Sequence, residues 1–153
     1  MDNTVKFENT LLPNLGKTAK LAGYYFMDTF HENGIDLSKE QWIVLKKLYD
    51  RDGQTQNDLA FITNRSKTSL TRLINTMEKK GLVFRELSKE DKRINHIHLS
   101  DLGKKTFLSS LPVLKKLMDE LQDNISPNDL TITIQVLNQI QNNISKLHNN
   151  HNK

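Results

Sequence analysis

The stretch of sequence that decides the fold is TQNDLAFITNRSKTSLTRLINTMEKKG, which covers residues 55–81. Thr55 and Ser66 each precede a helical pattern, and their hydroxyls can accept a hydrogen bond from the first turn, as N-cap residues do. Thr63 and Asn64 interrupt the pattern between these two starts, and Gly81 ends the second one. The sequence therefore predicts a short helix, a tight turn and a longer helix, which together form a helix-turn-helix.

The longer helix separates its apolar side chains from its polar ones. At 100° per residue, Leu70, Ile74 and Met77 fall on one side, together with Leu73, and we expect that side to face the core. The other side and its flanks carry Arg65, Thr68, Ser69, Thr71, Arg72, Asn75 and Lys79. Side chains of these types bind phosphates and base edges, and none of them is acidic, whereas a solvated helix normally mixes both signs. The pattern favours a DNA-reading helix over the alternative of an ordinary solvated face.

The two helix starts add further candidate DNA contacts. Ser66, Lys67 and Thr68 begin the longer helix, where unpaired N–H groups and the positive end of the helix dipole favour a phosphate or a base acceptor. Thr55 and Gln56 occupy the corresponding position in the shorter helix. We therefore expect both starts to contact DNA.

Residues 82–99 change from a helical to an alternating pattern and predict a β-hairpin, which makes the motif a winged one. The loop between the strands is wholly polar, and its Lys89, Lys92 and Arg93 could reach phosphates or the adjacent minor groove. Asp91 would be misplaced against a phosphate, so we expect it to pair with Arg93 and to hold the loop in shape. The alternative is a polar hairpin tip without a binding role.

The charge of the chain supports this assignment by its position rather than by its size. The net charge is only +4, but residues 54–105 carry 11 basic and 6 acidic side chains, a local excess of +5. Residues 1–53 have a net charge of −1 and residues 106–153 a net charge of 0. A focused positive field attracts an anionic polymer better than a diffuse one.

Amphipathic helices flank the winged motif on both sides in sequence. A first helix ends at Asn33-Gly34, a second opens with the capping box Ser38 to Gln41, and two long helices follow the hairpin, the first of them interrupted by Pro112. We predict a mainly α (α+β) fold with an N-terminal dimerisation helix in 1–36, the winged region in 37–99, C-terminal dimerisation helices in 100–147 and a flexible tail in 148–153, in one compact domain.

Several classes of function lack support in the sequence. The chain has no cysteine, which excludes thiolate catalysis, disulfides and thiol redox sensing. It shows no nucleophile–base arrangement and no Gly-rich phosphate loop, so we expect no enzyme and no cofactor. It shows neither a secretory signal nor an apolar run of about 18 residues, so we expect a cytoplasmic protein without a membrane contact. His96 and His98 share a strand face but have no third ligand, so we predict no metal site and leave their role open.

Over residues 11–147 the chain resembles the MarR (multiple antibiotic resistance regulator) family of winged helix-turn-helix repressors. The resemblance rests on the order and spacing of LSKEQW at 37–42, QTQ at 54–56, SKTSLTRL at 66–73, EKKGLV at 78–83, DKR at 91–93 and LS at 99–100, followed by Gly103. It implies a triangular homodimer that binds a palindromic operator through recognition helices in successive major grooves. It also implies that Arg93 enters the minor groove, braced by Asp91.

The resemblance further implies that a small aromatic ligand binds between the dimer helices and the reading region. Candidate pocket residues are Tyr24, Tyr25, Phe30 and Trp42, and the alternative is that these aromatic side chains belong to the dimer core. Our leading hypothesis is a ligand-responsive transcriptional repressor that binds double-stranded DNA. The rival hypothesis is a winged-helix protein-interaction module that does not bind DNA.

Overall fold

A computed structural model describes residues 6–151 of the chain, with side chains up to residue 147. A single 3₁₀ turn at Phe7–Asn9 precedes the regular elements. These elements are α1 Leu11–Glu32, α2 Lys39–Asp50, β1 Gln54–Thr55, α3 Gln56–Ile62, α4 Lys67–Lys79, β2 Val83–Leu87, β3 Asn95–Leu99, α5 Asp101–Leu121 and α6 Pro127–His151. The fold class predicted from the sequence, mainly α with a small antiparallel sheet, is confirmed.

The chain divides into two compact units, one up to Leu117 and the other from Met118 onward. The first unit contains α1 to β3 and most of α5, and the second contains the end of α5 and α6. Of the predicted tail at 148–153, α6 continues as far as His151, and the side chains of this segment lie outside the described residues. None of the helices in the described chain is both long and apolar enough to cross a membrane.

The helix boundaries follow from the caps that the sequence predicts. Ser38 and Gln41 form the complete capping box of α2, in which each side chain bonds the other residue's backbone N–H. After α1 the chain turns at Gly34 with φ +69°, and after α3 it turns at Asn64 with φ +53°. The tight turn of the helix-turn-helix thus uses the left-handed conformation that asparagine tolerates better than most residues.

The sheet contains one strand more than the sequence predicts. Strands β2 and β3 form the expected antiparallel hairpin, with Val83 opposite Leu99 and Arg85 opposite Ile97. The two-residue strand β1 pairs with the other edge of β3, so that the strand order is β1-β3-β2. A strand of two residues has no detectable period, and only its pairing with β3 reveals it.

The core of the first unit lies beneath the sheet and α4. Leu70, Ile74 and Met77 are fully buried there, as predicted, beside Leu45 and Leu48 of α2. The start of α5 packs directly against the residue before β2, because Gly103 is buried and a Cβ atom added to it would overlap the carbonyl group of Leu82. A glycine is therefore required where α5 leaves the sheet.

Farther along α5, a buried hydroxyl joins two helices of the first unit. Ser110 is fully buried, accepts a hydrogen bond of 2.8 Å from Trp42 Nε1 of α2 and donates one of 2.6 Å to the carbonyl of Phe107. The Trp42 ring also packs on Phe107, with 5.5 Å between the ring centroids. The polar edge of the chain's single tryptophan is therefore satisfied by α5 rather than by solvent.

Candidate nucleic-acid interface

Helix α4 presents the polar face that its sequence predicts. Lys67, Thr68, Arg72 and Asn75 are exposed, whereas Ser69 and Thr71 at the flanks are half-buried. In the described part of the chain, no carboxylate comes within ion-pair distance of Arg72. Arg72 is thus an uncompensated cation in the second turn of an exposed helix.

The first turn of α4 is fixed by hydrogen bonds within the protein. Ser66 caps the helix by accepting a bond of 3.1 Å from the N–H of Ser69. Arg65, in the preceding turn, donates a bond of 2.6 Å to the hydroxyl of Ser69. The side chains of Arg65, Ser66 and Ser69 therefore orient the start of the helix, in addition to any contact that they make with DNA.

The start of α3 is tied to α4 in the same way. Thr55 caps α3 by accepting a bond of 3.0 Å from the N–H of Asp58. Gln56 donates a bond of 2.6 Å from Nε2 to the hydroxyl of Thr71, which in turn donates to the carbonyl of Lys67 at 2.8 Å. Two of the predicted DNA contacts, Gln56 and Thr71, thus also bind each other.

Arg85 is the residue of this region that sequence reasoning missed. Its guanidinium, on β2, pairs with Glu78 and donates to Asn75 Oδ1 at 2.7 Å, while its Nε lies 3.5 Å from Gln56 Oε1. The alternation of side chains along β2 could have revealed this role, because Arg85 lies two residues after buried Val83 and therefore shares its inward face. A cation at an inward position requires partners, and α3 and α4 supply them.

The wing loop is held together by short-range bonds around Ser88 and Asp91. The hydroxyl of Ser88 accepts from the N–H groups of Glu90 and Asp91, at 3.2 and 3.3 Å. The carboxylate of Asp91 accepts from the backbone N–H of Arg93 at 2.9 Å. The predicted contact between these two residues is therefore present as a backbone bond, and within the described residues the Arg93 guanidinium has no ion-pair partner.

The wing contributes its cations to the same region as α3. Lys89, Lys92 and Arg93 are all exposed. Arg93 lines a cleft of about 140 Å³ together with Thr55 and Gln56 at the start of α3. The structure thus brings together predicted DNA contacts that lie nearly 40 residues apart in sequence.

The two wing histidines have structural partners. His98 Nδ1 lies 3.0 Å from Asp52 Oδ2 and its Nε2 lies 3.4 Å from Glu86 Oε2, while the ring stacks on Phe84 at 5.3 Å. His96 Nδ1 lies 2.9 Å from the carbonyl of Gly53. The described residues contain no cluster of three histidine or carboxylate side chains that could hold a metal ion. The contacts of His98 with Asp52 and of His96 with Gly53 link β3 to the turn before β1.

The four aromatic residues predicted to line a ligand pocket occupy different environments. Tyr24 and Tyr25 are exposed on α1, at 58% and 37% of their surface. Phe30 is fully buried and packs against Phe26 in a tilted arrangement, with 4.0 Å between the ring centroids. Trp42 is half-buried and engaged with α5. A pocket shared by these four residues stays a prediction.

The exposed polar helix, the tight turn before it and the basic wing define a winged helix-turn-helix protein. Residues 37–94 match the model of the MarR family. The HTH-type transcriptional regulator YdgJ of Bacillus subtilis (strain 168), itself uncharacterized, is 32% identical over 111 residues, which cover 72% of this chain and 68% of YdgJ.

Two solved structures share the fold at lower identity. The S. aureus MepR–DNA complex matches with a TM-score of 0.78 and 21% identity, covering 88% of this chain and 98% of MepR. The structure of Bordetella bronchiseptica BpsR, whose DNA binding is regulated by 6-hydroxynicotinic acid, matches with a TM-score of 0.81 and 16% identity, covering 88% of this chain and 95% of BpsR. The match to the family model and the 32% identity with YdgJ show that the chain belongs to the MarR family of transcriptional regulators.

Proposed function

We propose that this chain is a repressor that binds a palindromic operator as a homodimer and is released by a small aromatic ligand. The DNA-binding part of this proposal rests on the exposed, acid-free face of α4. The same winged region, residues 37–99, also contains a wing with three exposed cations. A B-form major groove is wide enough to admit one α-helix with its side chains. We assign α4 to that groove.

The contacts divide by chemistry into base readers and phosphate binders. Arg72 and Thr68 are the base readers, because both are exposed in the first two turns of α4, the part of a recognition helix that reaches base edges. Lys67, Lys89 and Lys92 bind phosphates, since an ammonium group is a flexible point charge without a base-specific geometry. Arg93, at the base of the wing loop, enters the minor groove.

The homodimer is supported by apolar side chains that the single chain leaves uncovered. On α6, Ile134 and Ile144 are each 49% exposed and Leu147 is 59% exposed. On α1, Leu11 and Leu12 are 50% and 73% exposed. An apolar stripe of this length on a helix is normally buried against another helix, and a second copy of the chain supplies equivalent helices.

The effector part of the proposal rests on similarity alone. BpsR has this fold and responds to a hydroxylated aromatic acid. In this chain Tyr24 and Tyr25 offer exposed aromatic rings on α1, and Phe30 and Trp42 lie at the buried ends of α1 and α2. A screen of aromatic acids for release of the bound operator tests this part separately from DNA binding.

The DNA-binding experiment begins with fragments of the source genome that the purified protein retains. Fluorescence anisotropy on the selected operator then compares the wild type with Arg72→Ala and Arg93→Ala. We expect Arg72→Ala to weaken binding by about 1–3 kcal/mol and to relax specificity at one base pair. We expect Arg93→Ala to weaken binding to all sequences and to lower the slope of log K against log salt by roughly 1.

Arg51→Ala is the matched control, because Arg51 is an exposed arginine at the C-terminal end of α2, outside the proposed contacts. Its operator affinity should stay within about twofold of the wild type, as expected for the loss of a screened charge that makes none of the proposed contacts. Wild-type affinity in both test variants would overturn the assignment of the contacts. A wild-type protein that retains no duplex at low salt would instead favour a winged-helix protein-interaction module.

The dimer is tested by the geometry of the selected sites and by sedimentation. Two copies of α4 related by a twofold axis read half-sites about 34–36 Å apart, one helical turn of DNA. The selected fragments should therefore contain inverted repeats with about 10 base pairs between half-site centres. A monomeric mass in sedimentation, at the concentrations at which the operator is bound, would contradict the dimer.

A further inference from the structure

We propose that Arg85 is a positioning residue that turns the amide of Asn75 so that this side chain offers only N–H donors to DNA. This inference rests on the proposed DNA-binding function and specifies the chemistry that one position of α4 can recognise. It follows from the hydrogen bonds around the Arg85 guanidinium. In each of them the guanidinium must be the donor, because it has no acceptor atom.

Arg85 lies at the centre of the hairpin, opposite Ile97, and only 20% of its side chain is exposed. A guanidinium this deeply placed has to satisfy its N–H groups within the protein. One of them pairs with the carboxylate of Glu78, which offsets the charge. Two further N–H groups point toward Asn75 on α4 and Gln56 on α3.

The orientation of both amides follows from the donors of arginine. A guanidinium has five N–H donors and no acceptor, so only the oxygen of an amide can face it. Asn75 therefore turns Oδ1 toward Arg85, at 2.7 Å, and Gln56 turns Oε1 toward the Nε of Arg85. The opposite orientation of either amide would place N–H groups against N–H groups.

The same direction continues into the first turn of α4. Because Gln56 accepts from Arg85, its Nε2 is free to donate, and it bonds the hydroxyl of Thr71 at 2.6 Å. The Thr71 hydroxyl, which accepts from Gln56, in turn donates to the carbonyl of Lys67. A chain of hydrogen bonds thus joins the wing strand β2 to the start of α3 and to α4. Each residue in it accepts from the residue before it and donates to the next one.

The consequence for recognition concerns Asn75. An unconstrained asparagine reads adenine with both atoms of its amide, since Oδ1 accepts from the adenine N6 amino group while Nδ2 donates to N7. Here Oδ1 already accepts a charge-assisted bond, and the Arg85 cation beside it would face the amino group of an approaching adenine. The Nδ2 of this exposed residue keeps its donors.

Asn75 is therefore matched to a single hydrogen-bond acceptor and not to the paired donor and acceptor by which adenine is distinguished from guanine. Two parts of DNA supply such an acceptor, namely a phosphate oxygen and the major-groove base edges, which offer N7 of either purine, O6 of guanine and O4 of thymine. Arg85 has no direct contact with DNA in this scheme. Its role is to decide which half of the Asn75 amide meets the ligand.

The first test uses the free protein and needs no operator. In ¹H–¹⁵N spectra of the full chain, Arg85→Lys should shift the Asn75 side-chain NH₂ resonances, whereas the matched control Arg51→Lys should leave them in place. The wild-type Arg85 Nε–H should exchange with water more slowly than that of exposed Arg72. Unchanged Asn75 resonances in Arg85→Lys, or equal exchange of the two Nε–H protons, would overturn the proposal.

The second test measures operator binding by Asn75→Ala across every single-base variant of the selected site. We expect a loss on the order of tenfold, as for removal of one good hydrogen bond to DNA. A loss confined to guanine, to thymine or to both purines at one position identifies a base edge as the acceptor, and an equal loss on all sites identifies a phosphate. A loss confined to adenine at one position, or no loss, would overturn the proposal.

The third test asks whether Arg85 acts through Asn75. Methionine is similar in length to arginine but has no N–H donor, so Arg85→Met removes the groups that face the oxygens of the Asn75 and Gln56 amides. In the Arg85→Met background, Asn75→Ala should therefore cost less than about twofold, so that the two substitutions are strongly non-additive. A loss of tenfold in both backgrounds would overturn the role of Arg85.

These tests separate this inference from the proposed function. A wild-type protein that binds no duplex refutes the proposed function and this inference with it. A wild-type protein that binds its operator but loses adenine preference in Asn75→Ala refutes only the role of Arg85. Thermal unfolding of Arg85→Lys and Arg85→Met within a few degrees of the wild type shows that the fold is intact in the variants used.

Discussion

Replacing Gly103 with alanine tests how α5 is joined to the winged region. Gly103 lies in the first turn of α5, and an added Cβ would overlap the carbonyl oxygen of Leu82 and lie 2.9 Å from its carbonyl carbon. For the carbon pair alone to reach its optimal separation of about 3.5 Å, α5 and the chain at Leu82 must move apart by roughly 0.6 Å. Both groups belong to backbone, so no flexible side chain can absorb the shift.

The same movement strains the hydrogen bonds that dock the helix. The N–H of Ser100 donates to the carbonyl of Leu82 at 3.1 Å, and the hydroxyl of Ser100 donates to the carbonyl of Gly81 while accepting from the N–H of Gly103 at 2.9 Å. Overpacking costs about 1–3 kcal/mol, and each weakened bond adds about 1 kcal/mol. We expect Gly103→Ala to lower the free energy of unfolding by about 2–5 kcal/mol, a large fraction of the total for a small protein.

The assay is urea unfolding followed by circular dichroism, at one fixed protein concentration because a dimer gains stability with concentration. Gly16→Ala is the matched control. Gly16 lies inside α1, and apart from the adjoining backbone of that helix no atom lies within 4 Å of an added Cβ, so alanine should leave stability unchanged or raise it by roughly 0.5–1 kcal/mol through its better helix propensity. A Gly103→Ala variant within 1 kcal/mol of the wild type, on the order of a single hydrogen bond, would refute this account of the junction.

Two further substitutions test contacts of the helices α2 and α5. Ser110→Ala removes the acceptor of the Trp42 indole N–H, so we expect a loss of about 1–3 kcal/mol together with a changed emission of the only tryptophan; unchanged fluorescence and stability would show that this bond does not hold α2 to α5. Ser38→Ala removes the capping box of α2 and should cost about 1 kcal/mol, whereas Ser38→Asp keeps an N-cap acceptor and should recover most of it; equal losses in the two variants would argue against capping as the cause.

The helices of this protein were predictable because their signals are local. An N-cap hydroxyl such as Ser66 bonds a group three residues away, and a stop such as Gly34 acts at its own φ angle. The buried side of α4 followed from the helical period alone, and Leu70 and Met77 lie where that period places them. The family resemblance also rested on local stretches, and the comparison with known proteins confirmed it.

The contacts within the winged region were less predictable than the helices, because they join segments that are distant in sequence. Arg85 was counted only as part of the basic excess, and its bonds to Gln56 and Asn75 span 29 and 10 residues. Asp91 was predicted to pair with the charged group of Arg93, but its carboxylate accepts from the backbone N–H of Arg93 instead, and this difference depends on the loop conformation. The proximity of Arg93 to Thr55 likewise appears only when β1 pairs with β3.

The sequence alone therefore determined the class of protein, the order of its helices and which face of α4 carries polar groups. Each of these depends on residue types within a few positions of one another, where helix periodicity and capping act. Tertiary structure decided which of those polar groups are already engaged and in which direction they donate. The reason is that a hydrogen bond requires two atoms within about 3 Å, and for Arg85, Gln56 and Asn75 only folding brings those atoms together.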